Sequence, residues 1–291
     1  MTHPNLLNGL ADVAGDYDAV LCDIWGVIHN GRQHFPTAYE AIRNFKATRG
    51  PVVLISNSPR PRDDLIKQLA SLGILEDGFS EVISSGDATR EYLKKFAPQG
   101  PAWRIGDPRE QALYDGIDID LRGTPQTAAF ISCSSPFDDE NDSLDQYEHA
   151  FTIAAARGIT MICANPDKVV QRGDKIIMCA GSLAELYEKL GGTVIMAGKP
   201  YAPIYELCYQ ALERLTGKPV DGARILAIGD GLPTDILGAN RQELDVVFIA
   251  AGIHAVAATN ADGVLEPMLL EALLDEAGAQ AKYVTTALRW G

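Results

Sequence analysis

Six polar side chains stand at or just behind the ends of apolar runs, and together their types suit the handling of a phosphate group. They are Asp23, Ser56, Asn57, Lys199, Asp230 and Asp235. A carboxylate such as Asp23 can attack phosphorus and form an aspartyl-phosphate. A second carboxylate, Asp230, could hold Mg²⁺ with it, since this hard cation prefers oxygen ligands. The Lys199 ammonium and the Ser56 hydroxyl can bind phosphoryl oxygens, so the set indicates phosphoryl chemistry.

The elements that must position these residues are apolar strands that alternate with amphipathic helical stretches. YDAVLCDIW and PVVLISNS are predicted strands, and the helical stretch TAYEAIRNFKATRG lies between them. The same alternation recurs in the middle of the chain and near its end. Continuous apolar strands separated by helices predict a parallel sheet covered on both faces, and hence an α/β fold. Ligands of open parallel sheets bind beyond the carboxyl ends of the strands, so residues distant in sequence can converge there.

Composition and charge exclude several classes of partner. The chain has 291 residues and a formal net charge of −14. Such an acidic surface repels nucleic-acid phosphates and anionic membranes, so we expect neither as a partner. The five cysteines are widely spaced without a Cys-x-x-Cys pair, which predicts buried free thiols in a reducing compartment. Neither a signal-peptide pattern nor an apolar run near the roughly 18 residues of a membrane span is visible, and we expect a soluble, cytoplasmic protein.

The order of these motifs resembles the haloacid dehalogenase (HAD) superfamily, and within it the NagD-like phosphatase branch, class IIA. The residues that carry the resemblance are the nucleophile loop Asp23-Ile24-Trp25-Gly26-Val27, the pair Ser56-Asn57, the triplet Gly198-Lys199-Pro200, the acidic motif Gly229-Asp230 with Thr234-Asp235, and the cap signature Asn165-Pro166-Asp167. The match spans nearly the whole chain. It implies a Rossmann-like parallel-sheet core at 1–96 plus 194–291, interrupted by an α/β cap domain of the C2 type at 97–193. Capped relatives often pair, so a homodimer is a further expectation.

The resemblance also implies a role for each matching residue. Asp23 would be the nucleophile and a magnesium ligand, the backbone carbonyl of Trp25 and the Asp230 carboxylate would complete the protein ligands, and Asp235 would support the metal's water shell. Ser56 and Lys199 would bind the phosphoryl group. The remaining expected substrate contacts are Ile24, Trp25, His29, Asn57, Asn165 and Asp167, with the cap loop around Asn165 and Asp167 selecting the substrate.

Trp25 departs from the family pattern, because phosphatases of this family usually carry a second aspartate at this position. That aspartate protonates the leaving oxygen and then activates water, whereas an indole N–H can only donate a hydrogen bond. Acid–base assistance is typically worth about 10²- to 10⁴-fold. His29, six residues after Asp23, could titrate near neutrality, but we expect it to be a rim residue without a proton role.

Three hypotheses therefore stay open. The leading one is a magnesium-dependent phosphatase of a small phosphorylated metabolite, with low or atypical activity. The second is a dehalogenase-like hydrolase whose leaving group needs no proton. An aromatic residue at position 25 favours it, while the retained pair Asp230 and Asp235 and the α/β type of the cap count against it. The third is a binding protein for a phosphorylated metabolite without turnover, although pure binding would not require Asp23.

Overall fold

A computed structural model describes residues 4–172, 175–250 and 265–291 of the chain. The Cα positions divide into two compact units. The first is built from the described parts of Met1–Ser56, Ile66–Ile83 and Tyr205–Gly291, and the second from those of Asn57–Leu65 and Ser84–Ile204.

A seven-stranded sheet forms the framework of the first unit. Its strands, in spatial order, are β1 (Asn5–Leu6), β13 (Tyr283–Thr285), β12 (Asp245–Ile249), β11 (Ile225–Gly229), β2 (Ala19–Asp23), β3 (Val52–Ser56) and β4 (Glu81–Ser84). Every residue of β2, β3 and β11 is buried, as expected of central parallel strands covered on both faces. β2 pairs in parallel with both β3 and β11. The carboxyl ends of these three strands therefore lie side by side.

Helices connect these strands in the manner of parallel-sheet proteins. They are α1 (Pro36–Thr48), α2 (Arg62–Ser71), α6 (Ala202–Thr216), α7 (Leu237–Arg241) and α8 (Pro267–Ala277). The proline at the start of α1 suits the first helical turn, where its missing N–H is not needed. α8 is followed by its C-cap Gly278, which adopts the left-handed conformation common at this position. The division between the units falls within α2, α6 and β4.

The second unit has a parallel sheet of its own. Its strands, in spatial order, are β10 (Thr193–Met196), β7 (Thr160–Cys163), β6 (Phe130–Cys133) and β5 (Ala102–Ile105). The helices of this unit are α3 (Ser85–Phe96), α4 (Asp145–Ala156) and α5 (Ala180–Lys189), and a separate antiparallel ribbon joins β8 (Val169–Arg172) to β9 (Lys175–Met178). α3 begins with a capping box between Ser84 and Asp87.

Two hydrophobic clusters cover opposite faces of the four-stranded sheet. Ile131 and Met161 belong to the cluster that includes Phe151 of α4 and Leu183 of α5. Their strand neighbours Phe130 and Ile162 belong to the cluster that includes Leu93 of α3. Successive strand residues point to opposite faces, so this sheet has a core on each side.

The structure confirms the predicted α/β class with parallel sheets. The predicted boundaries, 1–96 plus 194–291 for the core and 97–193 for the cap, stay a prediction. Cα packing groups α3 with the four-stranded sheet, and β10 extends that sheet to Met196. The five cysteines are free and buried, as expected. Within the described ranges, no helix has the length and apolar character that a bilayer crossing requires.

Candidate active site

Three carboxylates converge at the carboxyl edge of the seven-stranded sheet. Asp23 is the last residue of β2, Asp230 directly follows β11, and Asp235 lies in the short helical turn Leu232–Ile236. One oxygen of each lies within 4.8 Å of the other two. Cys22 pairs with Ile228 across the two strands, so β2 and β11 end together. Strand register therefore brings Asp23 and Asp230 together.

The chemistry of this carboxylate cluster fits a divalent cation. Asp23 is 5% exposed and Asp235 is 6% exposed, so water can screen their charges only weakly. Like charges repel one another at this separation, and a divalent cation bound between them would offset that repulsion. Mg²⁺ takes carboxylate oxygens and keeps part of its water shell, and a cluster with two buried members and the partly exposed Asp230 suits both needs.

Glycines allow the loops around this cluster to close. Gly26 has φ +79°, and a Cβ there would overlap the carboxylate of Asp230. A Cβ at Gly229 would overlap the Asp235 side chain. Gly231 donates its N–H to Asp235 Oδ2 at 3.0 Å and accepts the Asp235 N–H at 2.8 Å. The cluster therefore depends on close backbone approach at Gly26 and Gly229.

A tight turn after Asp23 holds Trp25. The carbonyl of Ile24, whose side chain is fully buried, accepts the N–H groups of Ile28 and His29. The half-buried indole of Trp25 meets the His29 ring at a centroid distance of 4.9 Å and an interplanar angle of 69°. Gly31 has φ +82°, and a Cβ there would overlap the indole ring. His29 and Gly31 thus fix the orientation of the indole.

His29 is buried and electrically neutral near pH 7. It is 1% exposed, so the expected rim position is wrong. Burial lowers the pKa of its imidazole to about 4. Its Nδ1 accepts the Gly31 N–H at 2.9 Å, which leaves the proton of the neutral ring on Nε2. A neutral imidazole is a poor proton donor near pH 7.

Ser56 lies on the strand next to Asp23. It ends β3 and is buried, and its predecessor Ile55 pairs with Asp23 across the parallel ladder. The predicted phosphoryl-binding role of Ser56 and the predicted substrate contacts of Ile24, Trp25 and His29 stay predictions.

A second cluster of predicted site residues lies within the second unit. The Asn57 side chain accepts the Lys199 N–H at 2.7 Å, and it donates to the Lys199 carbonyl at 3.1 Å and to Asp167 Oδ1 at 2.8 Å. Asn165 Oδ1 accepts the Asp167 N–H at 3.1 Å. Asn57 and Lys199 are both buried. The structure thus brings together four predicted residues that come from three separate parts of the sequence.

Gly26, Gly198 and Gly229 belong to the family motifs, but the sequence pattern does not predict their close contacts, and Gly31 lies outside the motifs. Gly26 and Gly31 both have positive φ, and they lie three and eight residues after the predicted nucleophile Asp23. A glycine soon after a strand-end carboxylate is a usable signal for a turn with positive φ. The contact between Gly31 and the indole left no such signal, because it depends on the path of the turn between them.

Family models match both ends of the chain. A model described as haloacid dehalogenase-like hydrolase matches residues 20–120, and one described as HAD-hydrolase-like matches residues 196–283. A crystal structure from Brucella suis 1330, described as a hydrolase of the haloacid dehalogenase-like family, is 38% identical with a TM-score of 0.86. The alignment covers 97% of this chain and 100% of that one.

Curated relatives align over most of the chain as well. Chronophin from Rattus norvegicus is 27% identical, with 85% of this chain and 81% of the relative covered. The ribonucleotide monophosphatase NagD from Escherichia coli K12 is 23% identical, with 81% of this chain and 89% of the relative covered. The similarity therefore includes both compact units.

Proposed function

Because this chain belongs to the haloacid dehalogenase-like hydrolases, in their NagD-like branch of class IIA, we propose that it is a magnesium-dependent phosphatase of a small phosphorylated metabolite. The observation that carries the proposal is the cluster of Asp23, Asp230 and Asp235 within 4.8 Å. The phosphatase names of relatives such as NagD support the reaction class. Neither a nucleic acid nor a membrane is a proposed partner.

Asp23 and Asp230 would hold the magnesium together with the backbone carbonyl of Trp25, and Asp235 would support its water shell. When bound, the ion offsets the negative charge of the phosphoryl group and of the carboxylates around it. Ser56 and Lys199 contribute a hydroxyl and a positive charge to the phosphoryl oxygens.

The proposed reaction has two steps at Asp23. A carboxylate oxygen of Asp23 attacks phosphorus, a new bond forms between them, and the bond between phosphorus and the leaving oxygen breaks. Water then attacks phosphorus, and the Asp23 carboxylate is released with inorganic phosphate. Each step transfers a proton in ordinary enzymes of this type, first to the leaving oxygen and then from the water.

Neither Trp25 nor His29 supplies the proton transfer that fast hydrolysis needs. The indole neither gives nor takes a proton near pH 7, and the neighbouring His29 imidazole is neutral there because burial lowers its pKa to about 4. The leaving group departs as an anion, and the aspartyl-phosphate meets water without a general base. Loss of such assistance costs about 10²- to 10⁴-fold, so we expect slow turnover.

The test is a panel of phosphate esters assayed with and without Mg²⁺. Metal-dependent phosphate release from at least one ester supports the proposal. Halide release from 2-haloacids without metal would instead support the dehalogenase-like alternative, which the aromatic Trp25 favours. Stoichiometric binding of a phosphorylated metabolite without release of phosphate would support the binding-protein alternative.

Localisation and assembly belong to the same proposal. The five buried free thiols suit a reducing compartment, and we propose the cytoplasm. A homodimer remains a proposal that rests on the family resemblance, and sedimentation of the purified protein at several concentrations tests it.

A further inference from the structure

The side chain of Asn57 holds the main chain of Lys199 from both sides. Asn57 Oδ1 accepts the Lys199 N–H at 2.7 Å, and Asn57 Nδ2 donates to the Lys199 carbonyl at 3.1 Å. Only this orientation of the amide matches a donor to each acceptor. The two partners are 142 residues apart in sequence, and both side chains are buried.

The same amide also binds the cap signature. Asn57 Nδ2 donates its other hydrogen to Asp167 Oδ1 at 2.8 Å. An amide nitrogen has two hydrogens, so both are committed to protein acceptors. Asn57 therefore has no N–H left for a substrate, in contrast to the substrate contact that its position beside Ser56 predicts.

Gly198 allows Lys199 to approach this closely. A Cβ at Gly198 would lie 2.5 Å from Asn57 Oδ1, 2.7 Å from Ser85 Oγ and 2.9 Å from Pro166 Cδ. The segment after β10 is thus packed against Asn57, the first residue of α3 and the cap signature. Any larger residue would push Lys199 away from the amide.

We infer that Asn57 is a positioning residue that holds Lys199 and Asp167 together and does not itself bind the substrate. The inference rests on the proposed function, in which Lys199 binds the phosphoryl group and the Asp167 loop selects the substrate. When the main-chain N–H and C=O of a lysine are both hydrogen-bonded, its ammonium group can reach a smaller range of positions than that of a lysine on a free loop. Positioning of this kind affects both substrate binding and the rate of the chemical step.

The main variants are Asn57→Ala and Asn57→Asp. Alanine removes all three hydrogen bonds. Aspartate keeps the acceptor for the Lys199 N–H but turns an oxygen toward the Lys199 carbonyl and the Asp167 carboxylate, where both contacts become repulsive. We expect Asn57→Asp to raise the inhibition constant of inorganic phosphate about 10-fold or more, and to lower kcat as well.

A matched control exists in the first unit. Asn240 holds the main chain of Gln280 in the same way, with Nδ2 donating to the Gln280 carbonyl and Oδ1 accepting its N–H, both at 2.8 Å. Asn240→Asp therefore makes the same chemical change without a carboxylate or a lysine as partner. We expect it to leave phosphate inhibition and kcat within about twofold of the wild-type values.

Two further variants separate positioning from a general loss of stability. In the Asn57→Asp background, Asp167→Asn offers an N–H to the new carboxylate, and we expect it to recover part of the lost phosphate affinity. In the wild-type background, Asp167→Ala and Asp167→Asn both remove the charge, but only asparagine keeps an acceptor for Asn57. We expect phosphate to bind more weakly to Asp167→Ala than to Asp167→Asn.

Hydrogen exchange of the peptide that contains the Lys199 amide gives a readout independent of activity. We expect faster exchange in Asn57→Ala and no change in Asn240→Asp. A folded Asn57→Asp variant with wild-type phosphate inhibition would overturn the inference, and so would Lys199 exchange that Asn57→Ala leaves unaltered. If the wild-type protein neither hydrolyses phosphate esters nor binds phosphate, the proposed function fails, and hydrogen exchange alone then decides whether Asn57 holds Lys199.

Discussion

The two clusters of site residues differ in the kinds of polar group that they bring together. The cluster of Asp23, Asp230 and Asp235 gathers like charges at the edge of the seven-stranded sheet, a set of oxygen ligands that suits a divalent cation. The cluster around Asn57 pairs each donor with an acceptor inside the protein. The first arrangement thus suits the binding of a cation, and the second fixes the positions of Lys199 and Asp167. The predictions below test this contrast from its largest expected effect to its smallest.

Asp23→Asn is the strongest test of the carboxylate cluster. We expect kcat for phosphate esters to fall by about 10⁴-fold or more, because the nucleophile is lost. The carboxamide is also a weaker ligand than the carboxylate for a hard cation such as Mg²⁺. The stabilisation by Mg²⁺ should shrink at the same time.

The exposed Asp16 of the first unit supplies a matched control for this change, as Asp16→Asn alters the net charge equally. It should leave kcat and the response to Mg²⁺ unaltered. If Mg²⁺ stabilised Asp23→Asn as much as it stabilises the wild type, Asp23 would not be a ligand of the metal.

Trp25→Asp restores the acid that the family pattern carries. We expect hydrolysis of esters with poor leaving groups to gain the most, up to about 10²- to 10⁴-fold, because these leaving groups need a proton. Trp25→Asn has nearly the same shape without the proton and serves as the control. Rates that are flat across leaving groups in both variants would refute the account of Trp25 as a missing acid.

The buried His29 should make folding sensitive to mild acid. Burial lowers the pKa of its folded-state imidazole to about 4, against an ordinary value near 6.5. The unfolded chain therefore binds the proton first as pH falls below about 6.5, and folding stability is lost down to about pH 4. The contribution is about 3 kcal/mol.

Urea unfolding of wild type and His29→Gln across this pH range measures that contribution. The difference between their free energies of unfolding should change with pH by about 3 kcal/mol. His149→Gln, on an exposed part of α4, is the control. Parallel pH curves for wild type and His29→Gln would show that His29 is protonated equally in both states.

Gly31→Ala tests how the indole is held. The substitution imposes strain at φ +82° and also places a methyl group into the Trp25 ring. Gly217→Ala imposes strain at φ +74° with no atom within 4 Å, so it isolates the first effect. We expect Gly31→Ala to lower the free energy of unfolding by about 1–3 kcal/mol more than Gly217→Ala does. Equal losses would mean that the indole moves aside at no cost.

The sequence predicts the carboxylate cluster better than it predicts the hydrogen bonds of Asn57. Asp23 and Asp230 each follow a continuous apolar strand, and neighbouring parallel strands end at the same edge, so strand pattern alone brings them together. Asn57 also follows a strand, but its partners are set by the packing of Gly198 against the cap signature. Asn57 and its partners lie more than 100 residues apart in sequence, and local patterns do not encode such contacts.

His29 and the unit boundaries illustrate the same limit. His29 lies near Asp23 in sequence, but the turn that ends at Gly31 buries its ring and occupies its Nδ1. α3 has an ordinary amphipathic pattern, which does not specify the sheet that it covers. Contacts such as those of Leu93 assign this helix to the four-stranded sheet.

The most direct test of the central claim is to trap the phosphoryl group on Asp23. The protein is mixed with a phosphate ester that carries a good leaving group, in the presence of Mg²⁺, then quenched in acid and analysed by peptide mass spectrometry. Since position 25 offers no base for the second step, the account predicts that the peptide containing Asp23 carries a phosphoryl group, and that omission of Mg²⁺ or the Asp23→Asn substitution abolishes it. Steady release of phosphate that persists in Asp23→Asn would contradict the account.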